Sequence, residues 1–192
     1  MSKRLTTTLA CLSLALPMSA SAHDHEAAQP AAGARTERGD FLHVWDDAAK
    51  KLTDLAAAIP AEKYSWRPAD GVRSVGEVVQ HVASGVYYLT LSMGVKPPEG
   101  YPQTFEEAGA LERMTGKEDA TASLAKALAY ARLVAENATP EQLEKEVVFF
   151  GSKVNGRTIF LYLMGHSQEH LGQLIAYGRM NGVVPPWSKG QG

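Results

Sequence analysis

The sequence predicts an all-α protein built as a four-helix bundle, and three observations lead to this prediction. Apolar residues recur at helical spacing in four separate segments, and turn residues stand between those segments. Hydrophobic residues make up 45% and charged residues 21% of the chain, which are ordinary values for a soluble globular protein. A length of 192 residues suits one domain with a substantial core.

The first 22 residues have the pattern of a secretory signal peptide. Lys3 and Arg4 give a positive start, residues 9–16 are apolar, and Ala20-Ser21-Ala22 is a small-residue cleavage site. The apolar stretch is far shorter than the roughly 20 residues that a membrane-spanning helix needs. We therefore predict an exported protein without a membrane span, located in the periplasm.

Composition excludes several kinds of chemistry for the mature chain. Cys11 is the single cysteine and lies in the signal peptide, so the mature protein has no thiol nucleophile, disulfide or thiolate metal site. Removal of Lys3 and Arg4 leaves 17 basic against 21 acidic residues, a net charge near −4. Because no basic run is present, we expect no nucleic-acid partner.

The mature chain is predicted to begin with a flexible leader and to continue into the bundle. Residues 23–39 are rich in Ala, Gln, Pro and Gly and cannot bury an apolar face. The bundle is expected over 40–187, followed by a tail at 188–192.

The first two helices are predicted from their apolar spacing and their end signals. Helix one runs from Phe41 to Ile59, with Asp40 as its cap and Pro60 beyond its end. Helix two begins after Ser74, because Ser74-Val75-Gly76-Glu77 has the spacing of a capping box.

Weaker signals mark the chain between helix two and helix three. Thr104-Phe105-Glu106-Glu107 and Thr115-Gly116-Lys117-Glu118 also have capping-box spacing, and the second is expected to open helix three. Pro140 either ends that helix or starts a short turn.

A hairpin is predicted before the last helix. Residues 147–150 favour β structure, and Asn155-Gly156 is a turn signal. Thr158 is expected to cap helix four, which ends near Asn181-Gly182, and Pro185-Pro186 prevents the helix from restarting.

Three histidines are the residues of the sequence that indicate a metal site. His166 and His170 stand four apart on helix four, so their rings lie on one face, one turn apart. His81 lies mid-way along helix two and supplies a third nitrogen if the two helices face each other. Three imidazoles with open positions are typical of a catalytic metal site. The alternative is that each His is an ordinary core or boundary residue of its helix.

Both histidine segments resemble a known family. Residues 74–83 (SVGEVVQHVA) and 165–177 (GHSQEHLGQLIAY), with Trp66-Arg67-Pro68 before helix two, are similar to the DinB/YfiT-like metal-dependent bundles. This resemblance implies an up-down-down-up bundle, often a homodimer. It also implies one divalent metal ion, with the ligands His81, His166 and His170.

The residues near the histidines each allow two interpretations. Gln173 either orients a ligand or a bound water, or hydrogen-bonds between helices. Tyr162 and Tyr177 either contact a substrate or lie in the core with a hydrogen-bonded hydroxyl. Glu77 is either a base or, as we favour, part of the capping box, and Glu169 is expected in solvent or in an ion pair.

Two functions follow from the resemblance. The first is a metal-dependent enzyme that activates a thiol or water for a small-molecule substrate, of S-transferase or hydrolase type, because such proteins include thiol-cofactor S-transferases and a thiol-dependent isomerase. The second is a non-catalytic metal-binding or stress-associated module. Imidazole ligands suit Zn, Ni, Cu and Fe alike, so the sequence does not select the metal.

Overall fold

The computed structural model describes residues 36–190. The predicted signal peptide and residues 23–35 of the predicted leader lie outside the described residues. Within residues 36–190, no helix is both long enough and apolar enough to cross a lipid bilayer.

Four long helices carry the fold, as predicted. They are α1 (Glu37–Ala58), α2 (Val75–Ser92), α4 (Lys117–Asn137) and α6 (Gly156–Met180). Short elements fill the connections: α3 (Phe105–Ala110), α5 (Pro140–Glu144), β1 (Glu146–Phe149), β2 (Ser152–Asn155) and 3-10 turns at Ala61–Lys63, Leu111–Arg113 and Pro186–Ser188.

The helix contacts define the order of the bundle. Helix α2 packs on α4 and α6, and α1 packs on the same two helices. Consecutive helices α1 and α2 therefore lie diagonally, and α2 lies beside α6. Fully buried side chains fill the centre, among them Trp45, Leu52, Val79, Leu124 and Leu174. The up-down-down-up direction of the helices stays a prediction.

The start of α1 differs from the prediction. Thr36 caps the helix, because its Oγ1 accepts a hydrogen bond from the Gly39 amide at 3.1 Å. Asp40 therefore lies in the first turn, and the predicted cap at Asp40 is wrong. The helix consequently reaches into residues 37–39, which were expected to belong to the flexible leader.

The capping box of α2 is confirmed. The Glu77 amide donates to Ser74 Oγ at 3.3 Å, and the Ser74 amide donates to Glu77 Oε2 at 2.6 Å. Both interactions satisfy amides that the first turn of a helix leaves without partners. The box fixes where α2 begins, and therefore which of its residues face α6.

Of the two further boxes, one is partly formed and the other is absent. Thr104 caps α3, but the Glu107 carboxylate accepts from the Gln103 amide and not from Thr104. The box predicted at Thr115 is wrong, because Gly116 holds the cap position without a side-chain hydrogen bond. The Thr115 backbone lies close to Gly76 of α2, so tertiary packing decides this helix start.

The predicted hairpin is present, but its turn lies elsewhere. Strands β1 and β2 pair antiparallel around Phe150 and Gly151, whose φ angles are 46° and 78°. Asn155 and Gly156 do not form the turn. Asn155 Oδ1 instead accepts from the Thr158 amide at 3.1 Å, so Asn155 caps α6 and the predicted cap at Thr158 is wrong.

The remaining end signals agree with the structure. Pro140 starts the short helix α5, which Thr139 caps. Helix α6 ends at Met180, with Asn181 at the cap and Gly182 at a φ of 76°. This left-handed conformation costs glycine nothing, which explains the stop.

Candidate metal centre

The structure brings the three predicted histidines together between α2 and α6. His81, His166 and His170 each offer a ring nitrogen, and these nitrogens all lie within 4.8 Å of one another. The ring centroids are 4.5 to 5.0 Å apart. Because α2 and α6 are neighbours, His81 meets the histidine pair despite a sequence separation of more than eighty residues.

Hydrogen bonds fix the orientation of two of the rings. His81 Nδ1 lies 2.7 Å from Glu112 Oε1, and His170 Nδ1 lies 2.8 Å from Gln173 Oε1. Gln173 Nε2 donates to the Tyr177 hydroxyl at 2.9 Å, which orients the amide with its oxygen toward His170. Both Nδ1 atoms therefore act as donors, and Nε2 of each ring is left to accept or coordinate.

The ring of His166 is positioned by packing and not by a hydrogen bond at Nδ1. His166 Nδ1 is buried and has no hydrogen-bond partner among the described residues. Its ring lies against Gly85 of α2, where a Cβ atom would stand only 2.3 Å from His166 Cε1. A buried ring nitrogen without a partner costs free energy unless it binds something. Because Gly85 has no side chain, the His166 ring fits against α2. Its unpartnered nitrogen is a candidate metal ligand.

The pKa values of two histidines favour the neutral form that metal binding requires. Burial, together with the neighbouring His170 and His81, lowers the pKa of His166 to about 3. The pKa of His170 is also lowered, chiefly by burial. At neutral pH both imidazoles are therefore unprotonated, with lone pairs available to an ion.

Glu112 is the functional residue that the sequence did not reveal. It lies in the 3-10 turn after α3, where one carboxylate oxygen contacts His81 and the other lies 3.6 Å from Arg73 Nη2. Burial raises its pKa, but the hydrogen bond from His81 and the charges of His81 and Arg73 outweigh burial, so the pKa is lowered. An ionised carboxylate behind a histidine increases the basicity of that ligand.

An open pocket of about 680 Å³ adjoins His81 and His166. This volume falls within the roughly 300–1,000 Å³ of small-molecule sites. Five aromatic residues form much of its lining, and we call them the aromatic wall: Tyr88, Phe105, Phe149, Phe150 and Tyr162.

The structure separates the alternatives for the neighbouring residues. Tyr162 lines the pocket, whereas Tyr177 is buried against Trp66, with ring centroids 5.4 Å apart. Glu77 is engaged in the capping box, as favoured. Glu169 is exposed and lies along the pocket.

The residues present suit a divalent ion. Three imidazoles form the donor set, two of them are oriented by acceptors behind them, and the third has an unsatisfied nitrogen. Such a set leaves positions open toward the pocket, whereas structural zinc sites close with four protein ligands. Zn, Ni, Cu and Fe all accept imidazole.

Comparisons with known proteins agree with this architecture. The model of the DinB superfamily matches residues 45–174. The YjoA protein of Bacillus subtilis (strain 168) is 27% identical over 132 residues, which cover 67% of this chain and 80% of YjoA.

Solved structures show the same fold. A DinB-like protein from Bacillus cereus ATCC 10987 superposes with a TM-score of 0.60 at 19% identity, covering 76% of this chain and 93% of that protein. YfiT from Bacillus subtilis, described as a probable metal-dependent hydrolase with an unusual four-helix bundle topology, gives a TM-score of 0.56 at 16% identity, covering 80% and 93%. At these identities the likeness concerns the fold.

Proposed function

Because the chain belongs to the DinB superfamily, we propose that it binds one divalent metal ion and uses it to activate a thiol or a water molecule. The ligands in this proposal are His81, His166 and His170. The observation that carries it is the meeting of the three imidazoles, two of which, those of His81 and His166, line an open pocket. An ion held there would have protein on one side and substrate space on the other.

The residues of the chain have distinct roles in this proposal. Glu112 and Gln173 hold the rings of His81 and His170, so that Nε2 of each points away from its acceptor. Gly85 admits the ring of His166. The pocket receives the substrate beside the histidines. When bound, the ion supplies the acidity that converts a thiol or water into a nucleophile near neutral pH.

Two reaction types fit this arrangement. Hydrolysis is supported by the description of YfiT as a probable metal-dependent hydrolase. S-transfer is supported by the family resemblance of both histidine segments. A non-catalytic metal-binding module would need only the three histidines. The pocket beside them favours the enzyme.

Metal-dependent turnover tests the proposal. Stripped protein is loaded separately with Zn, Ni, Cu or Fe and assayed for ester hydrolysis and for transfer of a low-molecular-weight thiol to an electrophile. We expect turnover with at least one metal, and its loss in His166→Ala and His170→Ala. His43→Ala is the matched control, because His43 is exposed on α1. Equal activity in stripped and loaded protein would contradict metal-dependent catalysis, and turnover unchanged by the two His variants would contradict the site.

We also propose that the protein is exported to the periplasm, with cleavage after Ala22. The support is the signal-peptide pattern of the sequence. Cell fractionation and amino-terminal sequencing test this, and an intact amino terminus in the cytoplasmic fraction would contradict it.

A homodimer is the third proposal, and its support is the family resemblance. Sedimentation at micromolar concentration should give about twice the mass of one mature chain. A monomer mass would refute it.

A further inference from the structure

The aromatic wall is unusual because most of its rings face solvent. Phe150 is 84% exposed, Phe105 49%, Tyr162 47% and Tyr88 39%. The rings also form one continuous series. Ring centroids lie 4.6 Å apart for Phe105 and Tyr88, 6.4 Å for Tyr88 and Phe150, 4.4 Å for Phe150 and Phe149, and 5.2 Å for Phe149 and Tyr162. A water-exposed cluster of rings beside the three histidines is an apolar surface without a covering partner among residues 36–190.

Phe150 is kept in a conformation that its residue type disfavours. It occupies the first central position of the two-residue hairpin turn, with a φ of 46°, and Gly151 follows at 78°. Turns with two positive φ angles favour Asn-Gly, and a bulky residue there is strained. Because Phe150 is almost fully exposed, burial does not offset this cost. Phe150 is strained and, among the described residues, packs only against other rings of the wall, Phe149 and Tyr88, which indicates that its ring serves binding.

The charged side chains that line the pocket are acidic. Among the described residues that line it, none is Lys or Arg, and the charged ones are Glu112 and Glu169. Glu112 is already paired with His81 and Arg73. Glu169 is exposed and leaves a negative charge along the opening. Among the side chains that line the pocket, an anionic group at the aromatic wall would therefore meet no Lys or Arg and would face the Glu169 carboxylate.

From these observations we infer the substrate class of the proposed enzyme: a small molecule whose non-reacting end is an uncharged aromatic group stacked on the aromatic wall. That this molecule is a substrate rests on the proposed function, whereas its binding to the aromatic wall does not. Stacked and edge-to-face rings are favourable in such a setting, and the reacting end would lie toward His81 and His166. A thiol or ester with an anionic tail is disfavoured at this position, because the tail would face the Glu169 carboxylate.

A second apolar groove provides an internal contrast. It has a volume of about 730 Å³, and its lining includes Phe41 and Phe160 together with Arg38 and Arg157. Its lining therefore carries two Arg residues and Glu37, which pairs with Arg157, whereas the lining of the first pocket carries no Arg or Lys. A ligand that combined rings with an anionic group would fit this groove better than the aromatic wall.

Two fluorescent probes test the inference, because they share one ring system and differ by a single anionic sulfonate group. N-phenyl-1-naphthylamine is neutral, and 8-anilino-1-naphthalenesulfonate has the same ring system with a sulfonate. Both are titrated into the full-length metal-free protein. We expect the neutral probe to bind at the aromatic wall with a Kd at least about tenfold lower than that of the sulfonate, equivalent to about 1.4 kcal/mol.

Variants locate the binding. Phe150→Asn should weaken the neutral probe at least about fivefold while preserving the fold, because Asn suits the turn. Phe105→Ala is the second wall variant. Leu133→Ala is the matched control, because Leu133 on α4 is as exposed as Phe105 and lines neither cavity. Glu169→Lys should tighten binding of the sulfonate and leave the neutral probe nearly unchanged.

Three outcomes would overturn the inference. They are equal affinity for the two probes, neutral-probe binding that neither Phe150→Asn nor Phe105→Ala weakens, and binding that Phe41→Ala removes, which would place the probe in the second groove. Probe binding needs no metal, so it is independent of turnover. Absence of metal-dependent activity would overturn the proposed function alone, and failed probe discrimination would overturn the substrate class alone.

Discussion

Replacement of Gly85 by alanine is predicted to damage the metal site while leaving the bundle intact. The added Cβ would stand 2.3 Å from His166 Cε1 and 2.9 Å from both ring nitrogens. Ordinary contact begins near 3.4 Å, so the ring must retreat by about 1 Å, which exceeds the roughly 0.2 Å tolerance of metal–nitrogen distances about fivefold. His166 borders the open pocket and can swing into it.

The size of the effect follows from mass action. At a metal concentration 100 times the wild-type Kd, binding should stabilise the wild-type fold by about 2.7 kcal/mol. If displacement of His166 raises the Kd about 100-fold, the same metal concentration stabilises Gly85→Ala by only about 0.4 kcal/mol. Without metal, the variant should be similar in stability to wild type or somewhat more stable, because alanine is favoured over glycine in a helix by about 1 kcal/mol.

Chemical unfolding with and without metal, together with calorimetric titration, measures both quantities. Gly172→Ala is the matched control, because Gly172 is also helical and has nothing within 4 Å of an added Cβ. It should gain about 0.5–1 kcal/mol and bind metal like wild type. Wild-type affinity in Gly85→Ala would refute the role assigned to the close approach of His166.

Three further predictions concern the carboxylate, the pH dependence and the hairpin turn. Glu112→Gln keeps an acceptor for His81 but loses the charge, so calorimetry should show metal affinity reduced about 10- to 100-fold, and unchanged affinity would contradict the role of Glu112. In metal-free protein, the pKa of His166 lies at about 3, below its unfolded value near 6.5. Its contribution to stability is therefore complete above pH 6.5 and is lost as pH falls toward 3, so at pH 5 wild type should have lost about 2 kcal/mol more than His166→Gln. Urea unfolding of both proteins at pH 7.5 and 5 measures this, and parallel losses would argue against it. Phe150→Asn should raise the unfolding free energy by about 0.5–1 kcal/mol, because it relieves a strained turn, and a destabilised variant would contradict that strain.

Local signals explain the parts of the fold that the sequence predicted well. The apolar spacing marked all four long helices, and the box of Ser74 and Glu77 needs only contacts three residues apart. The histidine spacing on α6 placed His166 and His170 on one face, His81 was the expected third nitrogen if the two helices faced each other, and the family resemblance implied all three as ligands. The meeting of these three residues required only that α2 and α6 be neighbours.

The misses have a common physical cause in tertiary contacts. Glu112 reaches His81 from a loop thirty-one residues away, and no local pattern distinguishes it from other surface acids. Asn155 and Gly156 have the composition of a turn, but α5 packs so closely that a Cβ at Gly156 would lie 2.2 Å from the Gln142 oxygen. These two residues therefore join the start of α6, and the turn moves to Phe150, where residue preferences do not predict it.

X-ray absorption spectroscopy of metal-loaded protein tests the central claim most directly, because it counts the imidazoles around the ion. With zinc, the account predicts one bound ion per chain with three imidazole nitrogens at about 2.0–2.1 Å. His81→Ala, His166→Ala and His170→Ala should each remove one imidazole from the spectrum or abolish binding, and His43→Ala should change nothing. A loaded protein whose spectrum contains no imidazole, or keeps its imidazole count in all three variants, would contradict a metal centre at His81, His166 and His170.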